Sequence, residues 1–227
     1  MSTSAAKSDA PLPADQAEVF ARSFEGASDL AALSSAARRV LAMSAALFYR
    51  QGAAATSIRD ITRACGLSPA ALYNHFAGKD EVLYVLVCHG HDRLERRVAG
   101  ALDGAAPDPV AQLAAFAHAY VMGHLVHPEL AQLVRREYLH LSRPRYQEIV
   151  LRRRRLRDQL RELLRTGAQS KHFDLIDGPD AGATRVALMV LDMCSRTSEW
   201  YDPTRNEAPD ELADHYATAA LRLAGAH

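Results

Sequence analysis

The chain is short of several things, and each shortage excludes a class of protein. Its three cysteines, Cys65, Cys88 and Cys194, lie far apart and form no CxxC pair, so neither a disulfide framework nor a cysteine-rich zinc site is expected. The N-terminus lacks the basic-then-apolar order of a secretion signal, and no apolar run approaches the length of a membrane span. These features predict a cytoplasmic protein with no membrane partner. No stretch alternates β-branched and polar residues long enough to make a sheet, and no internal repeat is present. Net charge is zero, so no global excess of either sign marks a polyanion binder or an acidic surface.

What remains is rich in alanine, leucine and arginine, with Gly and Pro falling mostly between long periodic stretches. That balance favours helix, and the fold class expected is all-α. Charge is uneven along the chain. Residues 1–34 carry Lys7 and Arg22 against five acidic groups, whereas residues 35–80 carry six basic groups against Asp60 and Asp80, leaving +4. A local excess of that size can neutralise a few phosphates.

Residues 1 to about 14 read as a flexible arm, and Val19, Phe20, Phe24, Leu30 and Leu33 suit a short helix before residue 34. From Ser35 apolar positions recur at helical spacing through Val40, Leu41, Leu47 and Phe48, and Gly52 stops the helix. Thr56 or Ser57 offers an N-cap for Ile58–Cys65, and Gly66 stands where a tight turn needs positive φ. Ser68 then caps a helix that starts at Pro69, where a missing N–H costs nothing, and ends near His75. Asp80 suits the cap of a longer helix over 81–101. Further helices are expected at about 109–126, 129–141, 144–170, 179–201 and 209–224, for about nine in all. The domains so drawn are an extension at 1–34, a three-helix head at 35–80 and a larger bundle at 81–227.

The stretch from Thr56 to Leu83 carries the chemistry. Ile58, Ile61, Leu67, Leu72 and Phe76 are placed to form a small core, which leaves Ser68, Pro69, Ala70, Tyr73, Asn74 and His75 on an outer face. Those are short or aromatic hydrogen-bonding groups of a size that enters a major groove. Here the chain resembles the TetR family of regulators over residues 36–84. It departs from the usual pattern at Thr62, at Cys65 before the turn glycine, and at Asp80. The resemblance implies that Thr56, Ser68, Tyr73, His75 and Lys79 contact the DNA backbone. It likewise implies that Pro69, Ala70 and Asn74 read base edges with help from Arg59. It further implies a homodimer, built through the last two helices, on an inverted-repeat operator in double-stranded DNA, with a small effector releasing the repressor.

For the effector, Arg196 and Trp200, four apart, are expected to project from one helix face, and His118 and His124 to line a pocket. The segments Arg196–Pro203 and Ala213–Ala217 are similar to the TetR subgroup that controls steroid degradation in actinobacteria and responds to coenzyme A thioesters. That likeness implies such a thioester as effector; an unrelated apolar ligand of an efflux or other catabolic operon is the alternative. Arg152–Arg155, Arg157, Arg161 and Arg165 read mainly as solvated or paired charges, a minority of which could meet coenzyme A phosphates. No cofactor or metal is expected. His124 and His127 are i,i+3 neighbours, but no His-Glu-x-x-His, paired cysteines or phosphate-cradling glycine loop accompanies them, which argues against an enzyme.

Overall fold

The computed structural model describes residues 14–202 and 208–226; the expected N-terminal arm and the break at Pro203 lie outside the described residues. Helices run α1 Ala14–Ser23, α2 Ser35–Gln51, α3 Ile58–Cys65, α4 Pro69–Tyr73, α5 Lys79–Gly104, α6 Pro109–Leu125, α7 Pro128–Glu137, α8 Arg143–Gln169, α9 Gly178–Ser195, α10 Thr197–Trp200 and α11 Pro209–Leu223. Among the described residues the only β pairing is one isolated bridge, Phe173 to Ala226. No described helix is long and apolar enough to cross a membrane.

The chain divides into two compact units, and the division falls inside α5 between Leu83 and Tyr84. In the first, Ser34 caps α2 by accepting from the Ala37 amide, and Val40, Leu41, Ala45 and Phe48 turn inward. The segment before residue 34 belongs to this unit. α1 packs on α2, with Phe20 edge-on to Tyr49 at 5.8 Å, and Phe24 and Leu30 are buried.

In the second unit α6 lies against α11, α8 against α9, and α6 also meets α8 and α9. Their shared core holds Leu113, Phe116, Val121, Leu160, Leu164, Val190 and Ala220. Asp108 caps α6 by accepting from the amides of Val110 and Ala111, with Pro109 in the first turn. Gly90 allows α5 to approach α7, since a Cβ there would stand 2.5 Å from Val134 Cγ2.

Two expected helices differ in form. The helix expected over 179–201 breaks at Arg196, because the hydroxyls of Thr197 and Ser198 bond back to the carbonyls of Cys194 and Ser195 and a new short turn begins. The helix expected over 129–141 ends at Glu137 and passes into a single 3-10 turn, Tyr138–His140. Of the residues expected to mate two chains on the last two helices, Val186, Val190 and Leu212 are buried within the core of this chain, while Leu188 and Leu223 are exposed, as is the neighbouring Met189.

Candidate nucleic-acid interface and effector cavity

Local chemistry sets the two short helices of the first unit. Ser57, rather than Thr56, caps α3: its Oγ accepts from the Asp60 amide at 3.2 Å, and the Asp60 carboxylate accepts from the Ser57 amide at 2.8 Å. This reciprocal pair satisfies two amides that the first helical turn cannot. α3 ends at Gly66, whose φ of +66° and ψ of +33° lie in the left-handed region. The Gly66 amide bonds the Arg63 and Thr62 carbonyls and the Leu67 amide bonds Thr62 O at 2.9 Å, so the last orphan carbonyls are used. Two residues later Ser68 accepts from the Ala71 amide at 3.2 Å and Pro69 opens α4.

The result is a helix anchored by few residues and open on the rest. Leu72 and Phe76 are buried with Ile61, whereas Ile58 and Leu67 are only partly covered. Arg59, Ser68, Pro69, Ala70, Tyr73 and Asn74 are exposed and His75 is half-buried. Tyr73 is 56% exposed, which for so large an aromatic on a five-residue helix leaves its hydroxyl and ring available to a partner.

Two residues expected on the DNA are used inside the protein. Thr56 is 1% exposed, and its hydroxyl donates to Gly52 O at 2.8 Å and accepts from Gln51 Nε2 at 3.1 Å. These bonds close the α2–α3 turn and keep the Thr56 side chain inside the unit. The Lys79 ammonium donates to Ala53 O at 2.6 Å and Thr56 O at 2.8 Å, and so braces that same turn from the start of α5. Sequence position alone could not separate a lysine extended beside α4 from one folded back onto the α2–α3 turn.

The second unit contains a cavity of about 470 Å³ reached by five helices. α5 contributes His91 and Leu94, α6 Tyr120 and His124, α7 Val134 and Arg135, α8 Tyr146, Arg152 and Arg153, and α9 Leu191 and Asp192. His124 is buried and its Nδ1 lies 2.8 Å from Tyr120 O, with the Tyr120 ring 4.8 Å away between centroids. Burial pushes its pKa down to about 4, and Arg153 and Arg135 add to the effect against the hydrogen bond that its ring donates to the Tyr120 carbonyl. His91 is pushed down to about 3, first by burial and then by Arg153, Arg152 and His124. Both imidazoles are therefore neutral near pH 7.

Of the four expected effector residues, only His124 reaches this cavity. His118 is turned toward α11, with Nε2 3.7 Å from Asp210 and 3.6 Å from Asp214. Arg196 is exposed and pairs with Asp192 at 3.3 Å and Glu199 at 3.7 Å, and Trp200 is 49% exposed. Neither of those two lines the cavity, because the break at Arg196 removes the continuous helix on which they would share a face. The residues missed, His91 above all, carried a readable sign: Val87, His91, Leu94 and Val98 follow one stripe of α5. Among the described residues no three His, Cys, Asp or Glu side chains gather as a metal site.

A capped helix, a left-handed glycine and a second capped helix with its outer face free define a helix-turn-helix protein carrying a separate helical unit. The chain belongs to the TetR family: residues 40–84 match the model of bacterial regulatory proteins of that family, and residues 106–224 match a tetracyclin repressor-like C-terminal domain. It is thus a DNA-binding regulator rather than an enzyme. Among its relatives is the HTH-type transcriptional repressor KstR2 of Mycobacterium tuberculosis, 26% identical over 183 residues, which covers 80% of this chain and 89% of the relative. The solved structure of that ketosteroid regulator superposes with a TM-score of 0.73, covering 84% of this chain and 95% of the other. A bacterial regulatory protein in the family from Rhodococcus RHA1, 26% identical, gives a TM-score of 0.75 and covers 86% of this chain and 99% of that one. AibR, solved with isovaleryl coenzyme A and operator DNA, shares the fold at 22% identity and a TM-score of 0.71, covering 85% of this chain and all of its own.

Proposed function

We propose that the protein is an effector-released transcriptional repressor acting in the cytoplasm, binding an inverted-repeat operator as a homodimer. The observation that carries this is the outward face of α4: Ser68, Pro69, Ala70, Tyr73 and Asn74 are exposed on a helix whose inner residues are locked by Ile61 and Phe76. Ser68, Tyr73 and His75 are assigned to phosphates, and Pro69 and Ala70 to base edges, since base readout from a helix-turn-helix comes from the N-terminal part of the second helix; Asn74 at the end of α4 and Arg59 on α3 are assigned to base edges by the family resemblance and their exposure. The exposed Leu188, Met189 and Leu223 on α9 and α11 supply an apolar patch for the mate.

The effector is assigned to the cavity of the second unit, and its class to acids with an apolar body, a coenzyme A thioester of a steroid-derived acid among them. Two things support that class. The cavity joins apolar walls from Leu94, Val134 and Leu191 to several arginines, and the 26% identical relative with a solved structure is described as a ketosteroid regulator. An uncharged efflux substrate would leave the guanidinium of Arg153, which lies over the Tyr138 ring, without an anion to meet. An effector needs only a preference for the released form, typically about 1–3 kcal/mol of coupling.

The test is a gel-shift with the DNA upstream of the gene. Wild-type protein is expected to retard it, and Tyr73→Ala to bind at least tenfold more weakly while melting at the wild-type temperature. Equal retardation by Tyr73→Ala would remove α4 from the interface.

A further inference from the structure

Two side chains around the cavity carry a buried nitrogen with no hydrogen-bond partner, Arg135 at Nε and His91 at Nε2; Arg135 is anchored by its ion pair to Glu199, which leaves His91 as the uncharged one. It is 6% exposed, and its Nε2 has no hydrogen-bond partner. On the same stripe of α5, Val87 and Val98 are buried and Leu94 is partly so; an apolar residue would fill this place without stranding a nitrogen. A buried polar atom with no partner is unfavourable, and a ligand offers it one. His91 lines the cavity, so a group bound there is positioned to supply the missing bond.

The arginines around the cavity are of two kinds, ion-paired and not. Arg152 is tied to Asp92 and Glu95, Arg135 to Glu199, and Arg157 to Asp158. Arg153 and Arg154 have no ion pair among the described residues; of these two, Arg153 has its guanidinium held 4.9 Å from the centroid of the Tyr138 ring. The aromatic face holds the fork while leaving its N–H groups free to meet an anion.

We infer that the ligand is an apolar acid, free or as its coenzyme A thioester, that carries a hydroxyl or carbonyl on its apolar body, with Arg153 meeting the negative charge and His91 Nε2 hydrogen-bonding the oxygen. This rests on reading the cavity as the effector site. His91 is neutral near pH 7 and so can discriminate by hydrogen bonding without adding a second charge. A site built to bond a substrate oxygen rejects the analogue lacking it far more strongly than an apolar wall can.

The experiment uses the full-length protein and two matched pairs of probes: cholanic acid with lithocholic acid, and decanoyl coenzyme A with its β-hydroxy form. Each pair differs by one hydroxyl, and the pairs separate free acid from thioester. Affinities are read by calorimetry on wild type, His91→Leu, His91→Gln and Arg153→Met, with melting of each unliganded protein alongside. In at least one pair wild type should bind the hydroxylated member roughly tenfold more tightly, and His91→Leu should bind both members equally while melting no lower than wild type. His91→Gln should keep part of the preference. Arg153→Met should weaken both members of a pair roughly tenfold and leave their ratio intact. Equal wild-type affinity within each bound pair, or an undiminished preference in His91→Leu, overturns the inference alone. Failure of all four probes to bind wild type overturns the acidic-effector reading of the cavity and this inference with it.

Discussion

Lowering the pH from 7 to 5 should destabilise the second unit by an amount that two buried histidines set. His91 and His124 are both buried, and their pKa values stand at about 3 and about 4. In the unfolded chain each returns to about 6.5. Because the folded values are the lower ones, the unfolded state takes up protons first as the pH drops. Stability is therefore full above pH 6.5 and falls from there toward the folded values. The slope is about 1.4 kcal/mol per pH unit for each group, so at pH 5 each has lost about 2 kcal/mol and the two together about 4 kcal/mol. Both folded values lie at least a unit below pH 5, and the result does not depend on which is lower. The carboxyls of Asp158 and Glu162 are held below their usual range, first by hydrogen bonds from Arg157 and Arg165, and keep their charge over this window. For a unit of this size the loss corresponds to a melting temperature lower by roughly 8–16 °C. Calorimetric melts at pH 7, 6 and 5 on wild type and on His91→Leu/His124→Phe provide the measurement. A flat wild-type profile, or an equal fall in the double variant, would refute the reasoning.

Two further perturbations address what builds the two units. Gly66→Ala meets no atom within 4 Å, so its whole cost is that of a left-handed backbone at φ +66°, about 1–2 kcal/mol, read as a lower melting temperature of the first unit. An unchanged melt would show that the turn relaxes to another conformation. Arg152→Met leaves Asp92 and Glu95 facing each other; since both carboxylates are about one-third exposed, a loss of about 1–2 kcal/mol is expected by urea titration at pH 7. The loss should shrink as the pH falls through the carboxylate range.

The helix-turn-helix was legible because its determinants are local. Ser57, Gly66, Ser68 and Pro69 act within a few residues of themselves, and a cap or a left-handed turn needs no distant partner to be recognised. Thr56 and Lys79 escaped because their partners, Gly52 O, Gln51 and Ala53 O, lie on a turn whose path the sequence does not state. The cavity was harder still, since its wall comes from five helices separated by up to a hundred residues. His118 and Trp200 were plausible by type, but packing turned one toward Asp210 and Asp214 and left the other on the surface. The arginines of α8 looked alike in sequence; only the positions of Asp92, Glu95 and Tyr138 distinguish Arg152 from Arg153.

The most direct measurement is a chemical footprint of the purified protein on the DNA upstream of its gene, read on both strands with wild type and with Asn74→Ala. Two symmetry-related patches of major-groove protection, about 34–36 Å apart between centres, are expected with wild type, and their inner base contacts should vanish with Asn74→Ala while phosphate protection persists. Absence of protection at protein concentrations that saturate a dimer, or a pattern identical in the variant, would contradict recognition by the exposed face of α4.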